Sequence, residues 1–302
     1  MEDRVHRYLH YDVFTDTPLT GNQLAVFPEP DGLTTDDMAR ITREMNFSES
    51  TFMFPAEREG TDVRVRIFYP DGELPFAGHP TIGSTFALAQ EGFLKPPRAR
   101  VVLGLNLGPT PVDLEWRDGA LAFAWMTQQP PAFGPILTAR ERMAAALGID
   151  AGALKDHVPI QEISCGLPFL YVPLTSRAAV DRSVLDARAT ERLLTETGLE
   201  SRGIFVFSTE PGDDGATVYS RMLGTDREDP ATGSASGPLG CYLVRYGLVP
   251  PGQADKIISR QGVKMGRPSR VHIRIAGTAD TISDVKVGGA SVLVGDGRIT
   301  RI

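Results

Sequence analysis

The chain has 302 residues, a net charge of −7 and a pI near 5.3, and it is 41% hydrophobic and 23% charged. That length exceeds what one hydrophobic core usually serves and favours two domains, while the acidic balance removes the clustered positive field on which nucleic-acid binding depends. Charges interrupt the opening run MEDRVHRYLHYDVF, and no later stretch approaches the roughly 18 apolar residues of a membrane span, so a cytoplasmic protein without a membrane partner is expected.

Along the chain, amphipathic spacing predicts an outer helix over Thr35–Met45, followed by a short buried strand over 51–54. A second helix over 80–90 carries no charged residue and is rich in Gly, Ala, Ser and Thr. Lacking a polar face, it should be buried on nearly all sides, as a sheet curled around it would achieve. Pro80 suits its first turn, and Gly92 ends it. Strands follow over 98–103, 112–116 and 121–125. The proline-rich stretch 127–135 reads as a linker, giving an N-terminal lobe over 1–128 and a C-terminal lobe over 129–302, with the last strand free to return to the first. The second half offers outer helices over 139–147 and 189–197 and a strand over 204–207. An uncharged helix over 233–244 ends at Gly247, and strands at 257–259, 271–275 and 292–294 complete it.

The two halves match each other. Shifted without gaps, Arg66, Asp71, Glu73, Pro75, Gly78, Leu88 and Gly92 meet Arg221, Asp226, Glu228, Pro230, Gly233, Leu243 and Gly247. Background composition would supply roughly two such identities over that span. At a nearly equal offset the strand Thr51-Phe52-Met53-Phe54 faces Ile204-Phe205-Val206-Phe207, and each copy runs strand, turn, strand, glycine-containing loop, helix.

The usual cofactor, phosphate-loop and metal signatures are absent from the sequence, so no cofactor and no metal are expected. Gly233-Ser234-Ala235-Ser236-Gly237 has Ala where a nucleophile elbow needs Ser. Cys165 and Cys241 sit in apolar stretches and read as buried, reduced thiols. What remains are polar residues beside the starts of the two uncharged helices: Gly78-His79-Pro80-Thr81 and the run from Asp229 to Ser234. A helix start offers unpaired N–H groups and a positive dipole end, which suits a carboxylate. The plain alternative is that Asp229, Thr232 and Ser234 cap their helix and that His79 is a satisfied core histidine.

Asn46-Phe47-Ser48-Glu49-Ser50-Thr51-Phe52, Phe76-Ala77-Gly78-His79-Pro80-Thr81-Ile82-Gly83 and Asp229-Pro230-Ala231-Thr232-Gly233-Ser234-Ala235 resemble the signatures of the phenazine-biosynthesis PhzF-like family. Gly21-Asn22-Gln23-Leu24-Ala25-Val26-Phe27 and the run from Gln261 to Pro268 extend the resemblance over nearly the whole chain. It implies an α+β, diaminopimelate-epimerase-like fold of two pseudo-symmetric lobes, each a curved mixed sheet wrapped around a buried central helix, with the active site between them. Glu49 would be the general acid/base, assisted by His79 and Asp229, while Gly78, Gly233 and Ser234 contact the substrate. A homodimer is also implied.

Read without the family, Glu49 lies among Phe47, Phe52 and Phe54, and burial there would raise its pKa from roughly 4.3 toward neutrality. The two cysteines of related epimerases and racemases align with Ala77 and Thr232, so inversion by two thiols is disfavoured. One carboxylate working on one face suits a proton shift in a small unsaturated or cyclic carboxylic acid; the resemblance implies trans-2,3-dihydro-3-hydroxyanthranilate or a similar cyclic amino acid as the substrate type. The competing readings are a cofactor-independent epimerase, needing a second acid such as His79 or Asp229, and a non-catalytic small-acid binding protein. Asn22, Met53, Tyr69 and Met222 are candidate wall residues without assigned roles.

Overall fold

The computed structural model describes residues 5–300. They form two compact units, one running to Thr127 and resuming at Gly288, the other spanning Gln128–Val287. The fold is α+β throughout.

The first unit contains β1 (Val5–Val13), β2 (Asn22–Phe27), α1 (Thr35–Met45), β3 (Glu49–Pro55), β4 (Val63–Tyr69), β5 (Gly72–Leu74), α2 (Gly78–Gln90), β6 (Arg100–Leu105), β7 (Gly108–Arg117) and β8 (Ala120–Thr127). Its sheet is mixed: β2 and β3 are parallel, as are β4 and β6, and the hairpins between them are antiparallel. A capping box starts α1, with Thr34 Oγ1 accepting from Asp37 N–H and Asp37 accepting in return from Thr34 N–H. Met38 and Ile41 pack with Phe27, Phe52 and Phe68 on the outer face of the sheet. On the other face α2 lies against β1, β2, β3 and β8, and every residue from Gly78 to Leu88 is buried. The uncharged run therefore has the burial expected of it, and Gly92 follows its end with a positive φ.

The second unit repeats the pattern with β9 (Ala132–Leu137), α3 (Arg140–Ala146), β10 (Ile160–Ser164), β11 (Pro168–Pro173), α4 (Arg177–Arg182), α5 (Ala187–Thr197), β12 (Ile204–Ser208), β13 (Val218–Leu223), β14 (Glu228–Asp229), α6 (Gly233–Arg245), β15 (Ile257–Gln261), β16 (Ser269–Gly277) and β17 (Ile282–Gly289). The order of parallel and antiparallel pairings from β10 to β16 is that of β1 to β7. Strand alternation divides β12 between two layers. Ile204 and Val206 join the apolar cluster beneath α3, α4 and α5, while the Phe207 ring meets Tyr242 of α6 edge-on at 5.4 Å. The chain returns to the first unit in β18 (Ser291–Thr300), antiparallel to β1.

The identities between the halves have structural reasons. Arg66 donates from Nε and Nη2 to the two carboxylate oxygens of Glu73, at 2.9 and 2.6 Å, tying β4 to β5. Arg221 makes the same fork on Glu228, at 2.8 and 2.7 Å, tying β13 to β14. Each planar fork braces the hairpin that leads into a central helix.

The stretch read as a linker is shorter than expected. Only residues 128–131 lie between strands, because β9 begins at Ala132 and pairs with β10. Pro135 is accommodated since the β9–β10 register slips between Gln161 and Ile163, an irregularity of the kind that tolerates a residue without an N–H.

Cys165 and Cys241 are buried free thiols, as expected, and their sulfurs lie 3.9 Å apart. The hydrogen bond to Cys241, then burial, push the Cys165 thiol far above its ordinary pKa. Reactivity requires thiolate and access, so iodoacetamide should leave both cysteines unmodified in the native protein and alkylate both in denaturant. Intact-mass measurement checks this; rapid labelling of native protein would contradict the closed core around α6.

Candidate active site

In the first unit the parallel pairing of β2 with β3 sets Leu24 opposite Glu49, so both strands begin at the same end of the sheet. Asn22 opens β2, Glu49 opens β3, and His79 stands in the first turn of α2. Their side chains meet in series. His79 Nε2 lies 3.2 Å from Glu49 Oε2, and His79 Nδ1 lies 3.1 Å from Asn22 Nδ2. His79 and Asn22 are almost fully buried, while the Glu49 side chain keeps 18% exposure, enough for a ligand to reach it. Ser84 Oγ donates to Thr51 Oγ1 at 2.9 Å and fixes α2 against β3. The start of α2 has no side-chain cap, because its N-cap residue is Ala77.

The apolar neighbours expected around Glu49 are not its surroundings. Successive strand residues point to opposite faces, so Glu49 shares the α2 face with Thr51. Phe52 and Phe54 point the other way, into the cluster beneath α1. The Phe47 ring lies tilted against the His10 ring, centroids 4.6 Å apart. The identified neighbours of the carboxylate are thus an imidazole and, through it, an amide.

In the second unit Asp229, Thr232 and Gln261 form a closed set. Thr232 Oγ1 donates to Asp229 Oδ2, and Gln261 Nε2 donates to Asp229 O at 2.8 Å and to Thr232 Oγ1 at 3.0 Å. Thr232 N–H in turn donates to Gln261 Oε1 at 3.1 Å. Thr232 occupies the N-cap position of α6 but makes no side-chain cap, since its hydroxyl serves Asp229. This departs from the plain capping alternative. Gln261 is placed by Gly262, whose φ of +73° puts a would-be Cβ 2.3 Å from Arg267 O and 2.6 Å from Pro230 O, so only glycine fits. Gly233 and Ser234 open α6 and are buried; Gln128 Nε2 donates to Gly233 O at 2.9 Å, and Tyr171 Oη donates to Ala235 O at 2.6 Å. These bonds fall on the carbonyls either side of Ser234 O, to which Pro238 cannot supply the helical N–H.

The structure thus brings Glu49, His79 and Gly78 together in the first unit and Asp229, Gly233 and Ser234 together in the second. Sequence reasoning placed Asn22 only as a wall residue and gave Gln261 no role. Gln128 escaped it. Among the described residues no cluster of His, Cys, Asp and Glu is suited to hold a metal ion, and no helix is long and apolar enough to cross a membrane. Met53 borders a separate groove with Pro28, Pro55 and Phe93 that includes neither Glu49 nor His79.

A family described as "Phenazine biosynthesis-like protein" matches residues 11–297. The chain belongs to the PhzF family. It is 36% identical over 294 residues to a trans-2,3-dihydro-3-hydroxyanthranilate isomerase of Pseudomonas aeruginosa, covering 97% of this chain and 99% of that one. A Bacillus anthracis phenazine biosynthesis protein of the PhzF family superposes with a TM-score of 0.86 at 26% identity, covering 98% and 99% of the two chains. A hydroxyproline epimerase of Agrobacterium vitis shares the fold at 16% identity, with a TM-score of 0.63 over 99% of this chain and 92% of that one. This PhzF-family chain is accordingly an enzyme of the isomerase or epimerase type.

Proposed function

We propose that the protein moves a proton between carbon atoms of a small unsaturated or cyclic carboxylic acid, with Glu49 taking the proton and returning it on the same face. The carrying observation is the partly exposed Glu49 carboxylate, held 3.2 Å from a buried imidazole that is itself held by an amide. One carboxyl group with a fixed orientation can act first as base and then as acid, the proton leaving one carbon and returning to another while the electron pair stays within the substrate's conjugated system. The N-terminal N–H groups of α2, at Gly78, suit the substrate carboxylate, and those of α6, at Gly233 and Ser234, are equally suited to an anion. Asp229, an acceptor for Thr232 Oγ1, is suited to hold an amino or hydroxyl group.

The two-thiol route of inversion finds no support in the side chains. Ala77 and Thr232 stand at the helix starts, and the actual thiols are buried against each other in the second unit. The 36%-identical relative suggests trans-2,3-dihydro-3-hydroxyanthranilate, or a dihydroaromatic amino acid like it, as the substrate type. Wild-type protein should convert that compound to an isomer in deuterated water without added metal or nucleotide, and NMR should find deuterium at one carbon and on one face. Recovery of starting material with an inverted stereocentre would replace this reading with the epimerase.

A further inference from the structure

We propose that Asn22 is a positioning residue that fixes the tautomer of His79 and thereby keeps the transferred proton on Glu49; this rests on the reading of Glu49 given above. Gly21 sets Asn22 in place: its φ is +68°, and a Cβ there would meet Val13 O at 2.4 Å and the Thr15 side chain at 2.6 Å. The Asn22 side chain is 1% exposed and presents Nδ2 to His79 Nδ1 at 3.1 Å. An amide NH2 can only donate, so Nδ1 must accept and carry no proton. In the neutral ring the single N–H then lies on Nε2, the nitrogen 3.2 Å from Glu49 Oε2.

The consequence reaches the reaction. When Glu49 takes a proton from a substrate carbon, His79 could remove it only by becoming an imidazolium, which would turn an Nδ1–H toward the N–H of Asn22. Two donors facing each other in a buried site oppose that state. The proton therefore stays on Glu49 and returns to the substrate, and His79 acts as a neutral ring held beside the carboxylate. An aspartate at position 22 would be close in shape but would accept from Nδ1–H, favouring the imidazolium and letting His79 compete for the proton.

The first test needs neither substrate nor variant activity. In 15N-labelled wild-type protein, long-range 1H–15N correlation spectra distinguish ring tautomers, and the His79 signals are identified among the five histidines by their loss in His79→Gln. The expected result is a neutral ring protonated at Nε2; an Nδ1–H tautomer or an imidazolium at neutral pH overturns the proposal. The second test is Asn22→Asp, expected to convert the His79 signals to an Nδ1-protonated form and to lower kcat on trans-2,3-dihydro-3-hydroxyanthranilate by roughly tenfold or more with KM within about threefold. Unchanged signals and unchanged kcat in folded Asn22→Asp overturn it. The tautomer is read in the free protein, so its failure removes the role of Asn22 alone, whereas failure of the Glu49 reading shows in the turnover of Glu49 variants.

Discussion

Glu49→Gln should bind the substrate and fail to turn it over, with kcat falling roughly 100- to 10,000-fold, the range that general acid/base catalysis typically supplies. Glutamine preserves the shape and keeps a side-chain oxygen able to stand beside His79 Nε2, as the carboxylate does at 3.2 Å. What it loses is the capacity to hold and release a proton. Because one group serves both half-reactions, its removal strikes both barriers, and kcat and kcat/KM should fall together while calorimetric affinity for the substrate changes little. His79→Asn should be milder if His79 only holds its ring beside Glu49 and carries no proton. A Glu49→Gln enzyme within tenfold of wild type would remove Glu49 from the chemistry and direct attention to Asp229.

The parts of this architecture legible in the sequence are those fixed by local pattern. The buried helices α2 and α6 follow from runs without a single charge over 80–90 and 233–244, and the doubling follows from Arg66, Glu73 and their counterparts Arg221 and Glu228, conspicuous because a fork needs both partners at fixed spacing. What was not legible depends on which face a residue takes and on contacts between distant strands. Phe52 and Phe54 looked like neighbours of Glu49 because they are close in sequence, yet period-two alternation sends Phe52 to the opposite layer. Pro135 looked like linker because prolines interrupt central strands, and the β9–β10 register irregularity that admits it is a property of the pair. Asn22 and Gln261 were quoted among family motifs but carry no chemical flag, since neither is titratable or nucleophilic. Only the folded chain shows that one faces an imidazole nitrogen and the other ties Asp229 O to Thr232. A closer sequence reading had one clue in the glycines at 21 and 262, each adjoining one of these amides.

The doubled fork also separates the two units energetically. Arg221→Met should destabilise the second unit by about 3–5 kcal/mol, the usual cost of stranding one partner of a buried ion pair. Arg66→Met should cost the first unit only about 1–2 kcal/mol. The forks have nearly the same geometry, but their settings differ. The Arg221 side chain is 8% exposed against 20% for Arg66, and Arg221 Nη1 also donates to Val180 O at 2.9 Å, Asp181 O at 3.3 Å and Ser183 O at 2.8 Å, closing the C-terminal end of α4. Removing Arg221 strands the Glu228 carboxylate and these carbonyls together. Glu73 is better compensated: burial pushes its pKa up, but hydrogen bonds from Arg66 and Asn106 outweigh this and hold it below the usual carboxylate range. Asn106 would still donate to Glu73 after Arg66 is lost. The stability that Glu73 contributes is present at neutral pH and is lost as the pH falls through its depressed folded value. Urea unfolding followed by probes in each unit measures both costs, provided the m-value is unchanged. If Asp229 serves the reaction, Arg221→Met should also lower kcat, because Glu228 immediately precedes Asp229 and the fork holds that strand. Arg221→Met combined with Glu228→Leu removes the stranded charge and should recover part of the stability; equal costs for the two arginines, or no recovery in the double variant, would show that burial does not set the strength of these forks.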